Sequence, residues 1–518
     1  MQHLAHELIH LHSTDNVAVA LVNLSPGTTC RVGTQTVAAT QAIDRGHKVA
    51  LTRIAKDQPI IKYGETIGHA TSVIEPGDWV HTHNVELRDF TRPGDAASCV
   101  PAAPVPLTGH TFQGYRRASG RVGTRNYVGV ISNVNCSASV CHLIAQRFSE
   151  SKLKELPNVD GVVALTHHGG CGMQFGGMGH EMLNRVLGGM ARHPNVGGFL
   201  LVGLGCEQAA MDYLLRQQDL VQLAASGRTS QDAEKVPVLS VQERGGTTRT
   251  VEAGVNQIIE MLPRLNAMRR ETVPASHLVL ATECGGSDAN SGITANPALG
   301  VAADRIVACG GTAILGETTE IYGAEHLLTR RAVSTAVAHK LMDRLQWWKW
   351  YTGVFGVELN NNPSVGNKQG GLTTIAEKSL GAIAKGGSTA LVDVLQYAEP
   401  VTQPGLIIMD TPGYDPPSVT GMVAGGANIV VFTTGRGSCF GCKPTPTIKV
   451  ASNTPMYERM IDDMDINAGP ILHGTPVQEV GEQIFRRILA VASGQLTKSE
   501  TLGIGDHEFV PWIVGPTL

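Results

Sequence analysis

At 518 residues the chain is long enough for roughly two to four domains, each with a core of its own. Its 41 Lys+Arg stand against 45 Asp+Glu, so no basic field points to a nucleic-acid partner. Aromatic residues are sparse at 5% while glycine reaches 60, so glycine loops rather than aromatic slabs should shape any site. No run of about eighteen apolar residues occurs, and no membrane span is expected. The first residues lack the basic flank and apolar stretch of a signal peptide, so the chain is expected in the cytoplasm. Its ten cysteines then read as thiols or ligands rather than disulfides.

Residues 12 to about 90 read as a compact β-rich module, with short strands near 17–22, 48–51, 60–63 and 79–80 between turn signals. His47 and Lys48 open one strand, and His81-Thr-His83-Asn84 closes the module. Histidines at i and i+2 of an extended segment share a face, a workable metal-ligand or acid/base pair. Residues 92–107 carry four prolines and read as a semi-rigid spacer. The expected division is a β domain over 1–92, a linker over 93–110, and two α/β domains over 111–272 and 273–518.

Both large parts alternate apolar strands with helical stretches, the pattern of mainly parallel sheets covered by helices. In the first, strand ends carry Asn133-Val-Asn-Cys136, Thr166-His-His-Gly-Gly-Cys-Gly172 and Gly203-Leu-Gly-Cys-Glu207. In the second, an apolar run at 277–281 leads into the stretch 283–297, which the rest is organised around. That stretch packs two acids, a thiol, hydroxyls, amides and glycines together. Such a loop at the carboxyl end of a strand lies where open α/β sheets bind ligands. Further strand-end loops are 317–320, 410–413 and 433–437, with a glycine- and amide-rich loop at 362–371. Trp347, Trp348 and Trp350 read as a helix face in a domain or subunit contact.

These stretches together resemble the altronate/galactarate dehydratase family of sugar-acid dehydratases, over essentially the whole chain. The residues that carry the resemblance are Gly123-Thr-Arg-Asn126, His167 with Gly170-Cys-Gly172, Gly203-Leu-Gly-Cys-Glu207 and Cys284-Gly-Gly-Ser-Asp288. Further matches are Ser291 to Pro297, Asn362-Pro-Ser with Gly366-Asn-Lys368, Thr433-Thr-Gly-Arg-Gly437 and Asp465-Ile-Asn-Ala-Gly469. The amino-terminal module is similar to the SAF domain. His81-Thr-His83 looks closer to the altronate branch than to the galactarate branch. The sulfolactate sulfo-lyases are similar too, with the two parts as separate subunits. One departure is Ser438-Cys-Phe-Gly-Cys442, where the family reads Thr-Pro-Tyr-Gly; Cys439 and Cys442 there are either a metal or redox pair or loop filling.

The resemblance implies loss of water from a 2,3-dihydroxy acid, D-altronate for instance, to give a 2-keto-3-deoxy acid. It implies iron as Fe²⁺, with Mn²⁺ as the alternative ion, and a homodimer whose partner is a small hydroxyacid, not nucleic acid or membrane. The chemistry needs cations for the carboxylate, a base for the α-proton and an acid for the leaving hydroxyl. Catalytic candidates are His47, Lys48, His81, His83, His167, Glu207 and Asp288. Substrate-binding candidates are Arg125, Asn126, Ser287, Asn296, Asn367, Lys368 and Arg436, with Arg436 and Lys368 as carboxylate clamps. His81 and His83 are expected to bind a single metal ion. The alternative is an iron–sulfur cluster held by Cys171, Cys206 and Cys284. A sugar-acid-binding protein without turnover is the competing class, and the tethered module is expected to move as a lid that completes the site.

Overall fold

The computed structural model describes residues 7–88, 96–220 and 236–515. The amino-terminal module is built from short antiparallel strands. β1 (Leu8–Ile9), β2 (Val17–Ala20), β3 (Lys48–Ala50) and, later in the chain, β6 (Trp79–Val80) form one sheet in the order β1-β2-β3-β6. β4 (Pro59–Lys62), β5 (Glu65–Ala70) and β7 (Val85–Glu86) form another in the order β4-β5-β7. One side of the module closes a small core of its own around Leu8, Leu24, Cys30, Ile43 and Val49. The module's apolar residues Ile60, Ile67, Ile74 and Val80 instead join the core of the carboxyl-terminal domain.

The second domain holds a parallel sheet of β8 (Tyr127–Ser132), β9 (Gly161–Leu165), β10 (Val196–Gly203) and β11 (Val238–Ser240), ordered β9-β8-β10-β11. Helix α1 (Met178–Ala191) crosses between β9 and β10. The strand Glu271–Pro274 pairs with Thr111–Arg116, so the 272/273 boundary expected from the sequence falls inside a strand that closes this domain.

The third domain is a seven-stranded parallel sheet. Its strands are β12 (Val279–Cys284), β13 (Thr312–Leu315), β14 (Leu391–Leu395), β15 (Gly405–Met409), β16 (Ile429–Thr434), β17 (Thr447–Ala451) and β18 (Ile466–Asn467). They lie in the order β14-β15-β13-β12-β16-β17-β18. β15, β16 and β17 are buried along their whole length, as strands covered on both faces must be, hence their near-continuous apolar runs. Helices α2 (Ala295–Ala308), α3 (Thr335–Val354), α4 (Ile375–Ala382) and α5 (Asp415–Gly425) supply the cover. Strand order runs from β12 to β13 on one side, while β16 returns to the other. The topological switch point is therefore between β12 and β16, where such sheets bind ligands. The tryptophans of α3 make an intrachain contact: Trp348 stacks on Trp512 at 4.9 Å and donates to Asp410 at 2.8 Å.

The picture of a module free on a tether needs correction. Residues 93–95 of the expected linker lie outside the described residues. The remainder is laid onto the third domain by Ala97 N–H to Thr329 O, Cys99 N–H to Arg330 O and Leu107 N–H to Ala308 O, all at 2.8–2.9 Å. The module itself is docked through Lys48 and Lys62, which both reach Glu377 of α4, at 2.9 and 2.8 Å. All three side chains are essentially inaccessible to water. Charges this deep hold their place only while paired.

Candidate functional site at the switch point

Two linked groups of polar side chains gather at the carboxyl ends of β12, β13 and β16. Beneath the surface, Cys284 ends β12, and Glu317 and Glu320 follow β13. Their donor atoms lie within 4.8 Å of one another, the one such group of three among the described residues. Glu317 holds a left-handed backbone, φ 59°, costly for a glutamate and common where side chains are aimed at a site. Lys385 Nζ lies 2.7 Å from Cys284 Sγ and 2.5 Å from Glu317, and Lys378 Nζ lies 2.5 Å from Glu320. Burial, then Glu317, pushes the Cys284 thiol well up. Burial likewise raises Glu283 and Glu317, whereas Lys378 and Lys385 hold Glu320 down against burial. Asp415, at the start of α5, is raised to about 7 by burial and by Glu317 and Glu320. A carboxyl group so poised can serve as acid or base at neutral pH.

Above this lies a cavity of ≈ 200 Å³ lined by Arg45, Asp288, Gln369, Arg436, Asn453 and Arg459, among others. Arg45 comes from the SAF-like module; the rest come from the third domain. None of the three guanidinium groups has a hydrogen-bonding or ionic partner among the described residues. Asp288 is a fixed wall: its carboxylate accepts from Ser291 N–H, Ser291 Oγ, Ser452 Oγ, Asn453 Nδ2 and Asn290 Nδ2. Asn290 Oδ1 and Ser287 Oγ are buried without a partner, which marks both as open to a ligand. Gly285 and Gly286 separate the two groups. A Cβ at Gly285 would strike Asp415 Oδ2, and Gly286, at φ +61°, has Arg436 Cβ on its other side.

Of the residues singled out from the sequence, Ser287, Asp288 and Asn296 share a small pocket with Tyr63, Cys284 and Glu377, while Arg436 lines the larger cavity. Asn296 is itself held, donating to Gly381 O and accepting from Thr433 Oγ1. His47, His81 and His83 do gather, all around Trp79, with ring centroids 5.0–5.4 Å from it. His47 accepts from Trp79 Nε1 and its other nitrogen meets Gln369 O at 3.2 Å, so the histidines stand behind the cavity wall. Burial and Lys48 push His81 down to about 3, leaving it neutral, with Nδ1 unpartnered. His83 is exposed. Lys48, lowered to about 8 by burial, is bound into the Glu377 pair.

Several assignments are corrected. Arg125 forks onto Glu500 and donates to Thr124 O, Val491 O and Gln495 O; it has no donor left for a ligand. Asn126 is spent on Asn158 O, Leu265 O and Arg117. His167 uses both ring nitrogens, on Ser132 O and Gly169 N–H, and burial lowers it to about 4. Glu207 ties its own loop, accepting from Gly205 N–H and Asn133 Nδ2. Asn367 closes a capping box with Ser364 and donates to Ser287 O, a supporting role. Lys368 is half-buried on the same short helix and is not among the groups lining the cavity. Cys442 is a buried thiol raised to about 12 by burial, beside an exposed free Cys439.

Sequence reasoning passed over Glu317, Glu320, Glu377, Lys378, Lys385, Asp415, Arg45 and Arg459. The two glutamates stood in a strand-end loop already noted, which was the available signal. The lysines sit inside helical stretches and carry no local mark.

A single iron ion fits these residues poorly. Carboxylates and a thiolate suit Fe(II), but Lys385 and Lys378 already place ammonium charge on Cys284, Glu317 and Glu320. No group of three donors among the described residues includes His81 or His83. Cys284, buried under Lys385, belongs to a different sheet from Cys171 and Cys206, both exposed.

The three parts of the chain match three described domains. Residues 6–88 match the altronate/galactarate dehydratase SAF domain. Residues 114–266 match the second domain of D-galactarate dehydratase/altronate hydrolase. Residues 275–517 match the D-galactarate/altronate dehydratase carboxyl-terminal domain. Galactarate dehydratase (L-threo-forming) of Escherichia coli (strain K12) is 41% identical over 498 residues, 94% of this chain and 93% of that protein. The chain belongs to the D-galactarate/altronate dehydratase family. Altronate dehydratase of Escherichia coli (strain K12) is 36% identical over 504 residues, 95% of this chain and 97% of the relative. The (2R)-sulfolactate sulfo-lyase subunit beta of Chromohalobacter salexigens is 32% identical over 417 residues, 78% of this chain and 97% of that subunit. As a member of this family the chain is an enzyme, a lyase of the dehydratase type. Among the described residues no helix is long and apolar enough to cross a membrane.

Proposed function

We propose that this dehydratase removes water from a sugar acid bound in the cavity between the SAF domain and the carboxyl-terminal domain. The observation that carries the reading is the set of three unpaired guanidinium groups, Arg45, Arg436 and Arg459, around one small polar cavity. Uncompensated cations on a shared wall call for an anion, and a guanidinium fork matches a carboxylate bidentately. Three such groups exceed the need of one carboxylate. They favour an acid carrying a carboxylate at each end, the class to which galactarate belongs. The resemblance of His81-Thr-His83 to the altronate branch, with altronate dehydratases 36% identical to this chain, supports the second reading, a monocarboxylic sugar acid such as altronate.

The α-proton passes to Asp288, the carboxylate on the cavity wall, and its loss pushes negative charge onto the substrate carboxylate, where the arginines stabilise it most. Ser287 Oγ and Asn290 Oδ1, both without protein partners, orient the hydroxyl groups. Asp415, half protonated near neutral pH, hands a proton to the departing hydroxyl from the far side of Gly285. No step is routed through a single metal ion.

A panel of galactarate, altronate and sulfolactate, read by keto-acid release or sulfite release, tests the reading. Turnover of galactarate with kcat/KM at least about 10-fold above altronate is expected, since losing one carboxylate forfeits charge-assisted bonds to the arginines. Arg436→Lys should raise KM more than it lowers kcat, because an ammonium keeps the charge and loses the fork. Turnover of sulfolactate alone would overturn the proposal.

A further inference from the structure

We propose that the second domain holds an iron–sulfur cluster on Cys136, Cys171 and Cys206. These thiols end three neighbouring strands: Cys136 lies in the first turn after β8, Cys171 in the loop after β9, and Cys206 in the loop after β10. The loops are stitched together beside each cysteine. Asn135 N–H donates to Gly169 O at 2.9 Å, and its Nδ2 donates to His167 O at 3.1 Å. Ala209 N–H donates to Gly170 O at 3.0 Å, and Asn133 Nδ2 bonds both Ala209 O and Glu207. Each cysteine is thus within three residues of a bond joining its loop to a neighbour.

Free cysteine is among the most buried residue types. Cys30, Cys141, Cys284 and Cys442 follow that rule here, whereas Cys136, Cys171 and Cys206 are exposed, as are Cys99 and Cys439. Cys136 and Cys171 have no partner among the described residues, and Cys206 Sγ accepts a hydrogen bond from Gln242 Nε2 at 3.3 Å. Glycines with positive φ surround them: Gly170 at +95°, Gly172 at +68° and Gly205 at +125°. Such turns aim backbone N–H groups into a concavity, the setting of many Fe–S sites. The three sulfurs are not gathered closely enough to count as a single-ion group. A cubane spreads its thiolates around several irons and needs the wider triangle.

Three thiolates hold three irons of a [4Fe–4S] cluster and leave the fourth open to an oxygen ligand. Arg185, in the second half of α1, ties this domain to the third by donating to Tyr397 O, just past the carboxyl end of β14, at 2.9 Å. The cluster site does not rest on the dehydratase reading above, which places the sugar acid in the separate cavity beside Arg436. An iron with an open position would act as a Lewis acid toward an oxygen ligand, which changes no oxidation state and requires no electron acceptor.

The test is anaerobic purification of the full chain, with reconstitution by ferrous iron and sulfide. Iron, acid-labile sulfide and visible absorbance are then measured in wild type, Cys136→Ser, Cys171→Ser, Cys206→Ser and Cys284→Ser. Wild type should carry about four irons and four sulfides, and each of the first three variants should lose at least about half of both while keeping its melting temperature. Cys284→Ser should keep them. A wild type that binds no sulfide, or a cluster lost only in Cys284→Ser, overturns the site. Keto-acid release in the same samples separates the two claims. Dehydration without sulfide sinks the cluster and spares the function, whereas a full cluster with no turnover of any sugar acid does the reverse.

Discussion

Glu377→Gln should destabilise the docking of the SAF domain by about 3 kcal/mol, toward the lower end of what breaking a buried ion pair costs. The glutamate compensates Lys48 and Lys62 together, and all three are out of water. Lys48 already sits near 8 through burial, so without Glu377 it would shed its proton and recover part of the cost. Lys62, which Glu377 raises against burial, would remain charged and alone. Because several domains melt in one chain, the readout is an early transition assigned to the module, with faster proteolysis of the module. Glu377 is held far below the usual carboxylate range by Lys48 and Lys62 against burial. A carboxylate with a lowered native pKa contributes stability above its unfolded value, about 4, and loses it as pH falls further. Wild type should therefore lose docking on acidification, and the variant should lack that pH dependence. Identical melting curves for the two proteins would contradict the account.

Asp415→Asn should lower kcat by at least about 10²-fold, the contribution of a positioned general acid. Asp415 is raised to about 7, so it is mostly protonated below that pH and ionised above it. A group acting as acid must carry its proton, so kcat should be full on the acidic side of about 7 and fall on the alkaline side. The variant's residual activity should lose that alkaline limb while KM stays nearly constant. A limb that persists near 7 in Asp415→Asn would assign the proton transfer elsewhere.

The strand-end loops were readable because apolar runs end abruptly in glycines and polar residues at 283–297 and 433–437, the two sides of the switch point. Ser287, Asp288, Asn296 and Arg436 came from those loops. Arg125, Asn126 and His167 were misread because a motif shows which polar groups are present, not whether they are satisfied. The partner of Arg125 is Glu500, far along the chain. The docking triad was invisible for the same reason: Lys48 was noticed, but Lys62 and Glu377 look like an ordinary strand lysine and an ordinary helix glutamate. The module was expected to complete the site, and its Arg45 lines the proposed cavity. It does so from a docked position, held by a charge triad that only the fold assembles.

The central claim is that the sugar acid lies between the SAF domain and the switch point of the carboxyl-terminal sheet. Arg45 is the most direct probe, because it is the module's own guanidinium in the cavity and supports no other part of the fold. Steady-state kinetics of Arg45→Ala with the preferred sugar acid is the measurement. The account predicts KM raised at least about 10-fold, the loss of one charge-assisted bond, with the melting temperature unchanged. KM equal to wild type would place the substrate elsewhere.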